Sequence, residues 1–173
     1  KVIAYSSYTL AYGSSIEEFT LSGVGATSAT GNGYANRITG NSANNTIDGG
    51  SGVDTLSGGA GDDTYFVDIF SDVIIEDSIA GSGLDTVYAS TAYSLGSNLE
   101  NLTITAYKGA GAHGNDLDNI IAISASGNFS LFGYAGFDTL AGGNGNDTVS
   151  GGSDDDLLYG YLGDDRLFGD TGS

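Results

Sequence analysis

The sequence predicts an all-β fold in which short strands coil into a parallel β-solenoid, and three features of the chain support this. First, 30 of the 173 residues are Gly and none is Pro, which favours sharp turns over Pro-rich linkers. Second, 18 of the 22 acidic residues are Asp, a turn residue and a poor helix former. Third, the sequence repeats every nine residues. Together these features are typical of a repeat architecture.

The nine-residue repeat occurs in two blocks. Residues 133–168 divide without gaps into GYAGFDTLA, GGNGNDTVS, GGSDDDLLY and GYLGDDRLF. Gly holds the first position of each nonapeptide, Asp the sixth, and Leu or Val the eighth. Residues 31–66 divide in the same way into GNGYANRIT, GNSANNTID, GGSGVDTLS and GGAGDDTYF, except that Asn36 and Asn45 replace the first two Asp residues.

Each nonapeptide predicts one turn and one strand. A Gly- and Asp-rich turn of about six residues and a strand of about three reverse the chain, so two nonapeptides complete one coil of eighteen residues. Successive coils then stack as parallel strands about 4.8 Å apart, with the apolar eighth residue pointing inward. The stack brings sixth-position residues together: Asp138 with Asp156, Asp147 with Asp165, Asn36 with Asp54, and Asn45 with Asp63.

A longer period relates the two halves, because residues 16–21 resemble residues 99–104 at an offset of 83. The chain therefore comprises about two copies of one module. The expected organisation is a set of spacer-type strands over 1–30 that end a preceding module, a first nonapeptide block over 31–66, a strand-rich spacer over 67–113, and a second block over 114–173 that is truncated at the C-terminus.

Composition excludes several classes of function. A net charge of −18 with only four basic residues disfavours nucleic acid and anionic membrane surfaces. No apolar run approaches the length of a membrane span, so membrane insertion is not expected. Without Cys, and with His113 as its only His, the chain lacks the usual catalytic motifs. We expect no enzyme activity in this chain, although a separate catalytic domain could be attached to it.

The stacked carboxylates require a positive charge between them. Two like charges about 4 Å apart repel by about 1 kcal/mol even in bulk water, and the chain has too few Lys and Arg residues to compensate. Calcium fits, since it takes six to eight oxygen ligands, including backbone carbonyls. One apolar residue per nonapeptide makes a narrow core, so folding is expected to be coupled to calcium binding. The alternative is a solvated acidic face without metal.

Three nonapeptides, residues 49–57, 58–66 and 142–150, match the pattern GGxGxDxUx in full, where U is apolar. In this the chain resembles the RTX (repeats in toxin) calcium-binding family. The resemblance implies a right-handed parallel β-roll of two blocks joined by a spacer. It also implies export by a bacterial type I secretion system and folding at the cell surface or outside the cell, where calcium is abundant.

The resemblance further implies at least four calcium sites between stacked turns. In the family, one turn supplies the carbonyls of positions two and four and its sixth side chain, and the next coil supplies the carbonyls of positions one and three and its sixth side chain. The second block then provides Tyr134, Gly136 and Asp138 with Gly151, Ser153 and Asp156, and Gly143, Gly145 and Asp147 with Gly160, Leu162 and Asp165. The first block provides Asn41, Ala43 and Asn45 with Gly58, Ala60 and Asp63, and Asn32, Tyr34 and Asn36 with Gly49, Ser51 and Asp54.

The two sets of the first block have one carboxylate each, so calcium binding there is expected to be weaker or absent. Asp54 and Asp63 could instead bind ions on the side of the spacer. The acidic residues available to complete such sites are Asp68, Asp72, Glu76 and Asp77.

Two functions follow from these observations. The first is an extracellular calcium-binding module that serves structure, secretion and cell-surface interaction. The alternative is a calcium-dependent adhesion module that binds carbohydrate, such as exopolysaccharide, or extracellular matrix. Four tyrosines could provide a sugar-stacking surface for it, although strand packing also explains them: Tyr34, Tyr107, Tyr134 and Tyr161. An ice-binding surface is disfavoured, because the outward positions form no flat array of Thr, Asn or Ser.

Overall fold

The computed structural model describes residues 1–78, 83–106 and 111–172. Within these ranges the chain forms nineteen short strands and no helix, which confirms the predicted all-β fold. Accordingly, none of the described residues belongs to a helix that could cross a membrane. The chain divides into two compact units, Lys1–Val87 and Tyr88–Ser173.

The strands are two to five residues long. In the first unit they are β1 (Val2–Ala4), β2 (Tyr8–Thr9), β3 (Glu18–Leu21), β4 (Ser28–Asn32), β5 (Arg37–Thr39), β6 (Thr46–Gly50), β7 (Thr55–Ser57), β8 (Thr64–Val67) and β9 (Val73–Ile74). The division between the units falls within β10 (Thr86–Ala89). In the second unit they are β11 (Tyr93–Ser94), β12 (Asn101–Ile104), β13 (Gly111–His113), β14 (Ile120–Ile123), β15 (Ser130–Tyr134), β16 (Thr139–Ala141), β17 (Thr148–Gly152), β18 (Leu157–Tyr159) and β19 (Arg166–Asp170).

In the first unit, odd-numbered and even-numbered strands lie in different sheets. One sheet has the order β1-β3-β5-β7-β9, and the other runs through β2-β4-β6-β8. All of the pairings are parallel, and β4, β6 and β8 align Ala29 with Ile47 and Ile47 with Tyr65. These partners are eighteen residues apart, which confirms the predicted coil of two nonapeptides.

The second unit follows the same plan. Strands β12, β14, β16 and β18 lie side by side in one sheet, and β11, β13, β15, β17 and β19 in the other. Leu131 pairs with Val149 and Val149 with Leu167 at the eighteen-residue spacing. Ile121 pairs with Leu140, nineteen residues further on, because one additional residue separates their nonapeptides.

The core of each unit is a column of the eighth-position side chains. Five of the aliphatic ones are fully buried: Ile38, Ile47, Leu56, Leu140 and Val149. The column becomes exposed in the last coil, where Leu158 is half-buried and Leu167 is 47% exposed. Leu167 is in register with the buried Val149 and lies on the same face of the sheet, but it is not part of the buried core, because no later described coil covers it.

The turns explain why Gly recurs at the second and fourth positions. Gly152 at position two has φ 122° and Gly145 at position four has φ 144°, a left-handed region that Gly enters at little cost. Tyr134 and Tyr161 stand at position two with φ 84° and 70°. Their turns therefore have a left-handed residue at the same place as the Gly-containing turns, but here it is a strained non-Gly residue.

The buried column gives a first prediction. Leu140→Ala removes a fully buried side chain and should lower the free energy of unfolding by about 2–5 kcal/mol. Leu157→Ala is the matched control, because Leu157 is 52% exposed on the paired strand and its loss should cost no more than about 0.5 kcal/mol. Urea denaturation in saturating calcium measures both, and equal losses would contradict the inward orientation of the eighth residue.

Candidate metal sites between the turns

The sixth-position residues of successive coils are joined by a hydrogen bond. The backbone N–H of the residue in one coil donates to Oδ1 of the Asp in the next. All four predicted pairs make this bond: Asp138 to Asp156 at 2.9 Å, Asp147 to Asp165 at 2.8 Å, Asn36 to Asp54 at 2.7 Å, and Asn45 to Asp63 at 2.6 Å. The structure therefore brings together the pairs expected from the eighteen-residue spacing.

Among the described residues these bonds continue beyond the predicted pairs, and they join residues into four ladders of three, two in each unit. Each ladder begins with a residue without a carboxylate and continues with two Asp residues. The ladders are Asn36–Asp54–Asp72, Asn45–Asp63–Asp85, Asn119–Asp138–Asp156 and Phe129–Asp147–Asp165. Two-carboxylate pairs thus occur in the first unit as well as in the second.

Sequence reasoning found only part of these ladders. It offered Asp72 as one of four acidic residues that could complete a site, and missed Asp85, Asn119 and Phe129. The interval from Asn119 to Asp138 is nineteen residues, and a search allowing one inserted residue would have found it. Of the remaining acidic candidates, Asp68 accepts a hydrogen bond from the Ser51 hydroxyl at 3.4 Å.

The second carboxylate oxygen of these Asp residues lies inside the turns. The Oδ2 atom is buried and accepts no hydrogen bond from any part of the chain that the structure describes in five of them: Asp54, Asp63, Asp138, Asp147 and Asp156. Buried polar atoms are nearly always paired, because leaving a charged oxygen unpaired costs several kcal/mol. A cation would supply the missing interaction.

The space beside these oxygens exists because the first residue of the nonapeptide is Gly. A Cβ added to Gly133 would fall on Oδ2 of Asp138 and would lie 2.5 Å from the carbonyl oxygen of Gly151. Both oxygens belong to one predicted ligand set, so they border the same gap. A donor set made only of oxygens fits a hard cation such as calcium.

The predicted carbonyl ligands of the second block take part in the contacts between coils. The carbonyl of Tyr134 accepts the N–H of Ser153 at 2.7 Å, and that of Gly143 accepts the N–H of Leu162 at 3.0 Å. The Leu162 carbonyl accepts the N–H of Gly145 at 2.8 Å. A carbonyl has two lone pairs, so the oxygens of Gly143 and Leu162 can each accept this N–H and still contact a cation. The Tyr134 carbonyl also accepts the Ser153 hydroxyl at 3.4 Å, a long contact that a cation would replace.

In the first block, the carbonyls of positions two and four point to the glycines at the same positions of the next coil. Added Cβ atoms on those glycines would lie 2.5–2.7 Å from three of these oxygens: Gly50 near Asn32, Gly52 near Tyr34, and Gly59 near Asn41. The Ala43 carbonyl carbon lies 2.8 Å from such an atom on Gly61. The predicted ligand turns are therefore stacked in this block too, and their role as metal ligands stays a prediction.

The Asn-bearing turns differ from the Asp-bearing turns in how the sixth side chain is paired. The Oδ1 atom of Asn36 accepts the N–H of Asn32 at 2.8 Å, and its Nδ2 donates to the carbonyl of Ile16 at 2.9 Å. Asn119 accepts the N–H of Asn115 at 2.8 Å in the same way. Because the protein itself satisfies both ends of these amides, these turns place no demand for a cation on their sixth residue.

Burial changes the acidity of the ladder carboxylates. Burial, opposed by the hydrogen bond from the Asn119 N–H and aided by the neighbouring charge of Asp156, raises the pKa of Asp138 to about 7. Burial likewise raises the pKa values of Asp54 and Asp63 to about 6. In the absence of a cation, these carboxyls therefore hold protons at a pH where exposed carboxyls are ionised.

Comparison with known protein families gives one match. The RTX calcium-binding nonapeptide repeat matches in four copies, over residues 30–65, 130–158 and 142–173. Every residue of the four predicted ligand sets lies within these ranges. Neither the curated proteins nor the solved structures give a match.

The raised pKa values predict opposite pH dependence with and without calcium. A carboxyl whose pKa is higher in the folded than in the unfolded chain stabilises the fold below about pH 4, and this contribution is lost as the pH rises through about 6–7. The β content in chelator should therefore fall between about pH 5 and pH 8, towards that of the unfolded chain. In calcium, the thermal midpoint should rise over the same window, because protons compete with the ion.

Circular dichroism measures both trends, as the β signal at fixed temperature in chelator and as the thermal midpoint in calcium. Asp138→Asn should flatten them, whereas Asp164→Asn, which alters an exposed side chain, should not. A β signal in chelator that rises with pH would contradict the assignment of buried protonated carboxyls.

Proposed function

This chain belongs to the RTX calcium-binding nonapeptide repeat family, and on that premise we propose that it is an extracellular module whose folding is driven by calcium bound between its stacked turns. The observation that carries the proposal is the row of buried Oδ2 atoms that accept no hydrogen bond in the described parts of the chain. Calcium between two such carboxylates would remove their repulsion and supply their missing partner.

The ladders indicate which pairs would bind calcium most strongly. We assign the ions to the pairs with two carboxylates: Asp54 with Asp72, Asp63 with Asp85, Asp138 with Asp156, and Asp147 with Asp165. Four ions would reduce the net charge from −18 to −10. The one-carboxylate sets around Asn36 and Asn45 are proposed to bind calcium weakly or not at all, because their amides are already hydrogen-bonded.

Calcium-dependent folding would suit a protein that is exported unfolded. Each nonapeptide contributes only one apolar side chain to the core, which is little against the entropy lost on folding. The negative net charge also opposes a compact chain as long as no cation is bound. A bacterial cytoplasm with little free calcium would keep the chain unfolded, and the extracellular medium would fold it. We therefore propose that the module is secreted or displayed at the cell surface by a type I system.

Calcium titration followed by far-UV circular dichroism tests the proposal. Calcium should produce a cooperative gain of β signal that a chelator reverses, and magnesium at the same concentration should not, because it demands a tighter octahedral site. Asp138→Ala combined with Asp156→Ala should raise the calcium midpoint by about tenfold or more or abolish the transition, since it removes a complete carboxylate pair.

The matched control is Asp116→Ala with Asp164→Ala, which removes the same charge from exposed positions. This control should behave like the wild type. At about pH 8, where the ladder carboxyls are ionised, a spectrum that is already rich in β structure in chelator, and that calcium leaves unchanged, would overturn the proposal.

A second candidate function, calcium-dependent carbohydrate binding, is favoured by an aromatic cluster in the second unit. The rings of His113 and Phe132 stack with centroids 4.9 Å apart, and those of Phe132 and Tyr134 are 6.4 Å apart. The Tyr134 ring also borders an open groove of about 420 Å³ whose lining includes Asn115 and Asp116. A ring face beside polar groups is the arrangement that holds a sugar.

The other tyrosines considered for such a surface have different surroundings. Tyr161 stacks on Tyr159 with ring centroids 5.7 Å apart. Tyr34 lines a small cavity with Tyr12. Tyr107 lies outside the described residues. Of the four tyrosines, Tyr134 is the one described beside both this groove and the aromatic cluster, and it is the candidate sugar contact.

Retention on an immobilised acidic polysaccharide such as alginate, in calcium and in chelator, tests this second function. Tyr134→Ala should weaken calcium-dependent retention by up to about tenfold, the upper range of one stacking contact. Tyr12→Ala, which removes a ring that is 96% exposed in the first unit, should leave retention unchanged. If the wild type is not retained in calcium, the proposed carbohydrate binding is wrong, and the proposal of calcium-driven folding still stands.

A further inference from the structure

A cluster of three carboxylates lies at the end of the first nonapeptide block. Asp63, Glu76 and Asp85 each present one oxygen, and the three oxygens lie within 4.8 Å of one another. All three residues are buried, with exposed fractions of 1%, 7% and 0%. Only Asp63 belongs to a nonapeptide block, so the cluster combines the repeat with residues outside it.

The cluster is built on a turn that stays in register despite an insertion. Asp85 follows Asp63 by 22 residues instead of eighteen, yet the N–H of Asp63 donates to Oδ1 of Asp85 at 2.8 Å. On either side, Leu84 N–H donates to Oδ1 of Asp62 at 2.9 Å, and Thr86 N–H donates to the Asp63 carbonyl at 2.9 Å. The four additional residues therefore leave the stacking of this turn intact.

Glu76 occupies the first position of a turn, where all of the nonapeptides quoted above have Gly. It follows Gly58 by eighteen residues, so it takes the place of Gly58 in the next coil. The N–H of Gly58 donates to its Oε1 at 3.1 Å, and the buried Tyr65 hydroxyl donates to the same oxygen. Two donors from the preceding coil thus fix the orientation of this carboxylate.

A separate observation indicates that this cluster binds a ligand. The Oδ2 atom of Asp63 is buried and accepts no hydrogen bond within the described ranges. A Cβ added to Gly58 would fall on this oxygen and on the Tyr65 hydroxyl. Oδ2 of Asp63 therefore faces the side of Gly58 on which Glu76 is held, and points into the cluster.

From this geometry we propose that Asp63, Glu76 and Asp85 form a three-carboxylate calcium site that joins the first block to the spacer, with Glu76 as a ligand from outside the repeat pattern. The choice of calcium rests on the proposed function. The donors are all oxygens, which excludes the His and Cys ligands typical of zinc. Glu76 thus adds a third carboxylate to the pair of Asp63 and Asp85. Since more carboxylates mean higher calcium affinity, this site binds calcium more tightly than the other three pairs, which have two carboxylates each.

Counting bound calcium per chain tests the site, with native mass spectrometry for stoichiometry and calorimetry for affinity. Glu76→Gln preserves the shape of the side chain and should lose the tightest ion, with a loss of affinity of about tenfold or more at that site. Asp77→Asn is the matched control, because it removes the same charge from the next residue, which is exposed. It should keep every ion of the wild type.

The outcomes separate this site from the proposed function. If Glu76→Gln binds calcium like the wild type while Asp156→Asn in the second unit loses an ion, the three-carboxylate site is wrong and the proposed function stands. If the wild type binds no calcium, both are wrong.

A calcium-bound crystal structure of the wild type provides a second test that needs no variant. Anomalous density bonded to Asp63, Glu76 and Asp85 would support the site. Density at the other three carboxylate pairs with none at this cluster would overturn it, even if Glu76→Gln fails to fold. Density bonded to Asp63 and Asp85 but not to Glu76 would overturn the role of Glu76 as a ligand.

Discussion

The structure depends on the different surroundings of the two oxygens of each ladder Asp. Each ladder Asp gives Oδ1 to a backbone N–H of the preceding coil, and several leave Oδ2 buried without a hydrogen bond in the described structure. The first oxygen fixes the stacking of the turns, and the second makes that stacking unfavourable until a cation is present. Gly at the first position follows from this arrangement, because a side chain there would fill the space beside Oδ2.

The other interactions in the structure are too weak to stabilise the fold without the contacts between the stacked turns. Strands of two to five residues bury one apolar side chain per nonapeptide, and the coils are held mainly by parallel backbone hydrogen bonds. Such bonds contribute only about 1 kcal/mol each, while ordering each residue costs about as much or more. A strong interaction between the turns is therefore the term that distinguishes a folded coil from an unfolded one.

Much of this arrangement could be predicted from the sequence. An unbroken period of nine residues fixes the coil length, and with it the pairing of Asp138 with Asp156 and of Asn45 with Asp63. Asp85 was missed because 22 residues separate it from Asp63, and a fixed period does not cross an insertion. Glu76 was one of several candidates, because its role depends on the donors of Gly58 and Tyr65 that orient it. Such three-dimensional contacts leave no mark in the spacing.

The neutral residue at the start of each ladder indicates an order in which the coils can fold. A coil that carries Asn36 or Asn119 has its side-chain amide satisfied by the protein, so it can order before any ion arrives. In a linear array of repeats, the first coil has the highest free-energy cost to form, because each later coil can stack on one that is already folded. The Asn-bearing coil can thus nucleate folding, and the calcium-dependent coils then add to it one after another. An Asn→Asp substitution at this position would make the first coil depend on calcium as well.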